Sequence, residues 1–340
     1  MWIIRVKDSM IDDLIQRMFN QKRVVISALL FSVIASHLFC DNAAAGFSSE
    51  RAPFSIQFRD QISPYKITGV FVLPDELLTL EVQETTKREG YVLKSSAGKA
   101  VLKEKGKWEW QAPHDSGLYP LQIVHTPSND SVNLNIFVMV PLGHLKGEYL
   151  NGYRIGRYPR KPLKQLPIYK PPRGFIEVTK ENEEALVSPH FRLRQFISKQ
   201  ADGYPKYVVL RERLLLKLEL ILEKTNGGGY PCDTFHIMSG YRTPYYNKAI
   251  GNVEYSRHLY GGAADIFIDE NPEDGMMDDL NRDGKIDYRD AAVLYDIIDS
   301  LYGKPFYERF LGGLGWYRKT TSHGPFVHVD VRGFRARWGD

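Results

Sequence analysis

Apolar and polar residues alternate along short stretches in the first part of the chain. The clearest stretches are residues 54–58, 78–82 and 134–138. Alternation with a period of two is typical of strands that bury one face, and turn-forming residues separate these stretches. Several short strands with frequent turns predict a β-sandwich, which we place at residues 46–142.

A segment within this region resembles a late hairpin of immunoglobulin-like domains. Its residues are Trp108-Glu109-Trp110, then Ala112-Pro113, then Gly117-Leu118-Tyr119. The resemblance implies that the sandwich is immunoglobulin-like. No cluster of catalytic residue types stands in this part of the sequence, so we expect a binding or spacer role, with a protein partner that the sequence does not identify.

Helix and strand signals alternate in the last part of the chain. Leucines at 210, 214 and 218 recur at helical spacing, and the glycines at 227–229 predict the end of that helix. Ser188-Pro189 predicts the start of another helix. Short apolar runs predict strands at residues 235–238, 264–268 and 326–331. Residues 186–340 are therefore expected to form a small α+β domain with an antiparallel sheet.

Prolines concentrate between these two regions, in residues 143–185. A high proline density favours extended and semi-rigid chain, so this segment is predicted to be a connector. The overall fold class expected from the sequence is thus α+β, with an N-terminal β-sandwich, a connector and a C-terminal α+β domain.

The N-terminal 45 residues have the order of an export signal. Lys22 and Arg23 precede an apolar run over residues 24–39, and small residues follow at 43–45. The apolar run is shorter than the roughly 20 residues of a membrane span, although an uncleaved N-terminal anchor is the alternative. Both interpretations predict an exported protein, in the periplasm or cell envelope, that touches the membrane only through this segment.

Net charge adds a little to this picture. The chain of 340 residues has a formal net charge of +4 and a pI near 8.8. A mildly basic protein suits an anionic polymer such as a cell wall. The sequence has no long run of Lys and Arg and no nucleic-acid motif, so we expect no nucleic-acid partner.

Two histidines and an aspartate suggest a metal site. His258 and Asp265 stand seven residues apart, with Gly261-Gly262 between them to permit a tight bend. His328 lies on the last predicted strand, and Asp330 is on the same strand face. Two imidazoles and a carboxylate, with a fourth position for water, make a catalytic zinc site, whereas closed structural sites usually use cysteines.

Several segments together resemble the M15 peptidase family, which contains zinc D-alanyl-D-alanine carboxypeptidases and related murein endopeptidases. These segments are Ser239-Gly240-Tyr241-Arg242-Thr243, Asn247, His258 to Asp265, Gly313-Leu314-Gly315-Trp316-Tyr317, Phe326 to Asp330 and the basic tail Arg332 to Trp338. The resemblance covers roughly residues 186–340. It implies that the zinc ligands are His258, Asp265 and His328.

Three further residues are candidates for catalytic or supporting roles. The resemblance implies that Arg242 orients either a substrate carboxylate or the metal ligands. Many relatives carry a Glu three residues before the last His, where this chain has Pro325. Asp330 is then the nearest carboxylate, either as general base or as a partner that fixes a ligand imidazole. His323 is the candidate for polarising the substrate or stabilising the oxyanion.

A second metal site is predicted at residues 279–290, which fit a twelve-residue calcium loop. The expected ligands, in loop order, are Asp279, Asn281, Asp283, the Lys285 carbonyl, Asp287 and Asp290. Gly284 stands at the sixth position, where such loops turn sharply. Position twelve has Asp where Glu is usual, and a solvated acidic turn is the alternative. We expect structural Ca²⁺ here.

The sequence thus predicts zinc-dependent hydrolysis of peptide bonds in peptidoglycan stem peptides or crosslinks. A murein endopeptidase is favoured over a D,D-carboxypeptidase. The main alternative is a non-catalytic cell-wall-binding module stabilised by zinc and calcium. A third possibility is a peptidase for ordinary all-L protein substrates.

Overall fold

The computed structural model describes residues 46–83 and 89–339. The predicted export segment, residues 1–45, lies outside the described residues. None of the helices within the described ranges has the length and apolarity needed to cross a membrane. Residues 49–340 cluster into one unit, so the contacts given below lie within a single body.

Nine strands form the N-terminal region. They are β1 (Arg51–Phe58), β2 (Gln61–Tyr65), β3 (Ile67–Val72), β4 (Leu77–Gln83), β5 (Tyr91–Ser95), β6 (Lys99–Glu104), β7 (Lys107–Gln111), β8 (Gly117–His125) and β9 (Asp130–Val138). One sheet has the order β2-β1-β4-β7-β6 and the other the order β3-β9-β8-β5. The strands pair antiparallel, except that β3 and β9 are parallel.

The two sheets share one hydrophobic core. Inward-facing residues of both sheets fill it, among them Ile56, Leu80 and Trp110 from the first sheet and Ile123 and Leu134 from the second. Two sheets packed face to face over a common core make a β-sandwich. The immunoglobulin-like character of this sandwich stays a prediction.

Seven short strands follow. They are β10 (Val140–Pro141), β11 (Tyr149–Leu150), β12 (Tyr153–Arg154), β13 (Gly174–Val178), β14 (Leu186–Ser188), β15 (Phe191–Arg192) and β16 (Lys206–Val208). A three-stranded sheet of order β10-β13-β16 connects the sandwich to the later part of the chain. The predicted connector thus contributes the β11–β12 hairpin and β13, and single 3-10 turns lie between them.

The C-terminal region contains three helices and a five-stranded sheet. The helices are α1 (Glu212–Gly227), α2 (Pro244–Ala249) and α3 (Tyr288–Asp299). The strands are β17 (His236–Ser239), β18 (Ala263–Phe267), β19 (Gly313–Tyr317), β20 (Phe326–Asp330) and β21 (Ala336–Gly339), in the order β17-β18-β20-β19-β21. The four strands β17 to β20 are antiparallel, as predicted, but β21 joins β19 in parallel.

Helix α1 confirms the leucine periodicity of the sequence. Leu214, Leu218 and Ile221 are fully buried on one face, and Gly228 ends the helix. The helix predicted to begin at Ser188-Pro189 is wrong. Ser188 instead pairs with Phe191 in a β-hairpin, and Glu219 of α1 accepts a hydrogen bond from the backbone amide of His190.

The sandwich is held against helix α1 by polar contacts. Glu212 Oε1 accepts hydrogen bonds from the Phe71 amide at 3.1 Å and from Arg59 Nη1 at 3.0 Å. One turn before the helix ends, Glu223 pairs with Arg51 at 2.7 Å. Helix α1 therefore contacts the sandwich directly, while its opposite face packs within the C-terminal region.

Candidate metal centre

Sheet register and one tight turn bring the three predicted zinc ligands together. Asp265 of β18 and His328 of β20 are directly opposite each other in the antiparallel ladder. His258 lies on a 3-10 turn, Arg257–Tyr260, that ends at Gly261 with φ of 62°. A side chain at position 261 would place its Cβ 2.3 Å from the Val209 carbonyl oxygen, so the turn requires glycine.

The spacing of the three ligand atoms fits a tetrahedral metal. Asp265 Oδ1 lies 2.8 Å from His328 Nδ1 and 3.3 Å from His258 Nε2. The two imidazole nitrogens are 3.3 Å apart. Ligands bound tetrahedrally to Zn²⁺ at 2.0–2.1 Å are separated by about 3.3 Å, so the residues present fit zinc. Among the described residues, this is the one group of three or more His, Cys, Asp and Glu side chains whose ligand atoms all lie within 4.8 Å of one another.

Each ligand imidazole donates a hydrogen bond from the ring nitrogen that points away from the other two ligands. His258 Nδ1 donates to the Gly240 carbonyl at 2.7 Å, because a carbonyl can only accept. His328 Nε2 donates to Asp330 Oδ2 at 3.2 Å, because an ionised carboxylate also only accepts. With a metal bound, His258 Nε2 and His328 Nδ1 would therefore be the nitrogens that offer it their lone pairs.

Arg242 holds the other oxygen of the aspartate ligand. Its Nη2 donates to Asp265 Oδ2 at 2.6 Å, and its Nε donates to Ser239 Oγ at 2.7 Å. Burial alone would raise the pKa of Asp265, but the His258 and His328 imidazoles hold it well below its usual range. Asp265 is thus ionised, with Oδ1 directed at the two imidazoles. Of the two roles predicted for Arg242, this contact is the one that orients a metal ligand.

Asp330 lies behind His328, away from the cleft. It is fully buried, and its Oδ1 accepts hydrogen bonds from the amides of Gly313 and Arg332, both at 2.9 Å. Burial alone would raise the pKa of Asp330, but hydrogen bonds from His328 and Arg332 hold it well below its usual range. Of its two predicted roles, this geometry favours the partner that fixes a ligand imidazole over the general base.

The three ligands line one open cleft with a volume of about 960 Å³. Arg242 and His323 line the same cleft. His323 Nδ1 donates to the Gly324 carbonyl at 2.8 Å, which leaves Nε2 as the nitrogen that can accept a proton. The ring of His323 packs edge-on against Phe326, with ring centroids 5.0 Å apart.

A comparison with known protein families agrees with this arrangement. Residues 216–286 match the model of the family described as peptidase M15. The match supports an M15 family peptidase domain in the C-terminal part of the chain. The matched residues include Arg242, His258 and Asp265, and they end before His328. No curated protein matches the chain.

Several residues that line the metal cleft have no obvious signal in the sequence. Leu163 and Tyr169 reach the cleft from the predicted connector, and Lys199 and Glu254 come from loops. Trp338 of the tail packs over Gly315, where a Cβ would lie 2.2 Å from the indole nitrogen. Gly315 and Trp338 belong to segments that carry the family resemblance, but no spacing or periodicity marks Leu163, Tyr169, Lys199 and Glu254, because their places at the cleft depend on the tertiary fold.

The predicted calcium loop lies between the predicted zinc ligands Asp265 and His328 in sequence. Asp279 Oδ2 accepts from the Gly284 amide at 2.7 Å, and Gly284 has φ of 81°. Asn281 Oδ1 and Asp283 Oδ1 accept from the backbone amides of Asp283 and Lys285. Asp290 is fully buried, and its two oxygens accept from the amides of Asn281 and Asp287. The loop side chains bond to the loop backbone, and calcium binding stays a prediction.

Proposed function

We propose that the protein is a zinc-dependent peptidase that hydrolyses peptide bonds in peptidoglycan stem peptides or crosslinks, as an endopeptidase rather than a carboxypeptidase. The observation that carries this proposal is the spacing of His258 Nε2, Asp265 Oδ1 and His328 Nδ1 at the base of an open cleft. These three atoms would hold the zinc on which M15 peptidases depend. The family match supports the peptidase part of the proposal.

The side chains around these ligands have separable tasks. Bound zinc would lower the pKa of a water to around 7 and polarise the scissile carbonyl. His323, facing the same cleft, would accept the proton of the attacking water at Nε2 and return it to the leaving amine. Arg242 and Asp330 would keep Asp265 and His328 in position from behind. Within the cleft lining, no Ser or Cys is paired with a His as a nucleophile would be.

The charge of the metal cleft supports a peptidoglycan substrate. Arg242, Arg332 and Lys199 line the cleft together with the three ligands, whereas Glu254 is its one carboxylate besides Asp265 among the described residues. A cationic cleft favours an anionic peptide, and stem peptides carry free carboxylates. The export segment predicted at residues 1–45 would deliver the protein to the periplasm or cell envelope, where peptidoglycan lies.

Structural calcium in loop 279–290 belongs to the same proposal. The loop leads directly into helix α3, and Tyr288 at the start of α3 stacks on Trp316 of β19 with ring centroids 5.3 Å apart. Strand β19 pairs with β20, which carries His328. Ca²⁺ in the loop would therefore stabilise one side of the sheet that holds the metal ligands.

The alternative is a cell-wall-binding module that binds zinc and calcium without catalysis. Pro325 in place of a family Glu, and the buried position of Asp330, favour this alternative. The test is incubation of the purified protein with peptidoglycan fragments, with and without a zinc chelator, followed by mass spectrometry. We expect new amino termini that disappear with chelator and return when zinc is added back.

Two other outcomes of this assay would reject the proposal. Binding to peptidoglycan without any new amino terminus would favour the wall-binding module. Cleavage of all-L peptides at a rate equal to or above that for stem peptides would indicate a general protein peptidase. Asp265→Asn is the negative control, since it removes a metal ligand. Asp296→Asn, at an exposed position of α3, is the matched control that keeps activity.

A further inference from the structure

A second polar cavity adjoins the metal cleft. It has a volume of about 690 Å³, and residues 194–199 and 233–237 form much of its lining. Five carboxylates also line it, those of Glu183, Asp233, Asp269, Glu270 and Glu273. Strand β17 passes from one cavity to the other, because His236 and Ile237 line the second cavity while Met238 and Ser239 line the metal cleft. Lys199 lines both. The two cavities therefore meet at Lys199 beside a single strand.

This arrangement suits an extended peptide. Strand β17 is at the edge of its sheet, in the order β17-β18-β20-β19-β21. Its four residues span roughly 13 Å at about 3.3 Å per residue, so this one strand reaches from the second cavity to the metal cleft. Asp265 is opposite Ser239 in the neighbouring strand, which sets the metal ligands at one end of this path. Lys199 then stands beside a peptide bound between them.

Lys199 differs from the other cations of the metal cleft. Arg242 is paired with Asp265, and Arg332 is paired with Asp330, both at 2.6 Å. Arg257 donates to the Ile168 carbonyl and lies over the ring of Tyr169. Across the described residues, no carboxylate lies within ion-pairing distance of the Lys199 ammonium. Lys199 is thus a cleft cation without an ion-pairing carboxylate among the described residues.

The surroundings of this ammonium favour an anion. Lys199 is exposed, but desolvation by the neighbouring protein atoms lowers its pKa, and the charge of Arg242 lowers it further, while Asp265 opposes both. Two cations at one cavity wall repel each other, and the single Asp265 carboxylate is already held by Arg242 and the two imidazoles. A ligand carboxylate at Lys199 would offset this repulsion.

We propose that Lys199 is a specificity-determining residue that binds a free carboxylate of the peptide substrate where the metal cleft meets the second cavity. This inference rests on the proposed peptidase function. The substrate class that it selects is a peptide with a free carboxylate that is not part of the scissile bond, and this carboxylate lies on the metal-cleft side of Lys199, away from the acidic lining of the second cavity. A stem peptide whose carboxylate has been converted to a carboxamide is then a poor substrate.

The test uses a crosslinked stem-peptide fragment and derivatives in which each free carboxylate is replaced, one at a time, by a carboxamide. Affinity is measured by calorimetry with the zinc-loaded protein, and KM and kcat are measured on the same peptides. One carboxamide derivative should bind the unmodified protein about tenfold more weakly than the parent, as expected for loss of a charge-assisted hydrogen bond at a partly exposed site.

The variants decide whether Lys199 is the partner of that carboxylate. Lys199→Gln should bind the parent peptide about tenfold more weakly and make no distinction between the parent and that derivative, with kcat nearly unchanged. Lys199→Arg keeps the charge and should keep the distinction. Lys146→Gln removes an exposed lysine outside both cavities and should behave as the unmodified protein.

Two results would overturn the proposal. One is that Lys199→Gln discriminates among the peptides as the unmodified protein does. The other is that no carboxamide derivative binds more weakly than the parent. Failure of the proposed peptidase function looks different, because the carboxylate-dependent affinity would then be measured without any cleavage.

Discussion

A buried lysine beneath the metal site gives the sharpest test of the structure. Lys217 of α1 is 1% exposed, and its Nζ donates to the Asp330 carbonyl at 2.8 Å. Burial lowers the pKa of Lys217 to about 7, and the nearby Asp330 charge opposes this effect. The amine therefore changes charge near neutral pH while it supports the strand that carries His328.

The magnitude and sign of the effect on stability follow from this pKa. Lowering it from 10.5 to about 7 means that the folded protein favours the neutral amine over the charged one by roughly 4–5 kcal/mol more than the unfolded chain does. Between these two values the unfolded chain binds one more proton than the folded protein. The free energy of unfolding therefore rises with pH across this window. Above pH 10.5 the lysine costs nothing, and below pH 7 the cost of burying its charge is complete.

The assay compares Lys217→Met with the unmodified protein by urea denaturation at several values between pH 6 and pH 10. At pH 6 the variant should be the more stable protein, because it buries no charge. As pH rises, this advantage should shrink and then reverse, since the Asp330 carbonyl lacks its donor in the variant, at a cost of about 1 kcal/mol. Taking the difference cancels the other groups that titrate in both proteins.

A matched control and a refuting outcome complete this test. Lys224→Met changes an exposed lysine of the same helix, and its stability should follow that of the unmodified protein at every pH. A difference between Lys217→Met and the unmodified protein that stays constant from pH 6 to pH 10 would refute the reasoning. It would mean that the Lys217 amine keeps an ordinary pKa in the folded state.

Further predictions concern the metals and their support. Asp265→Asn should abolish zinc binding, measured as metal content after dialysis, together with peptidase activity. Asp330→Asn should weaken zinc binding about 10- to 100-fold in a competition with a chelator; unchanged affinity with a lost kcat would instead make Asp330 the general base. Tyr158→Phe should lower the free energy of unfolding by about 1–3 kcal/mol, because the buried Leu259 carbonyl loses its donor. Calcium should raise the Tm, and Asp279→Asn should remove that rise.

Local pattern accounts for the parts of the structure that the sequence predicted well. Helix α1 follows from leucines at helical spacing and a glycine stop, both of which act within a few residues. The pairing of Asp265 with His328 follows from two short apolar strands, because antiparallel neighbours place residues opposite each other. His258 follows from the glycines after it, which permit the tight turn.

Long-range contacts account for what the sequence could not predict. The strand signal at residues 326–331 places Asp330 on the face of His328, but the choice between its two roles depends on Gly313 and Arg332 closing around it. Lys199 lies in a loop without periodicity, and its position beside the cleft depends on strand β17. The parallel pairing of β21 depends on the tail folding back onto β19.

The proline-rich segment, predicted as a connector at residues 143–185, also forms hydrogen bonds to the turn that carries His258. The Tyr158 hydroxyl donates to the Leu259 carbonyl at 3.1 Å, one residue after His258. Arg257, one residue before His258, donates to the Ile168 carbonyl at 2.7 Å. The turn that presents His258 is therefore bonded to this segment on both sides of the ligand. The same segment leads from the sandwich into the C-terminal region, so residues of the predicted connector help to place the ligand His258.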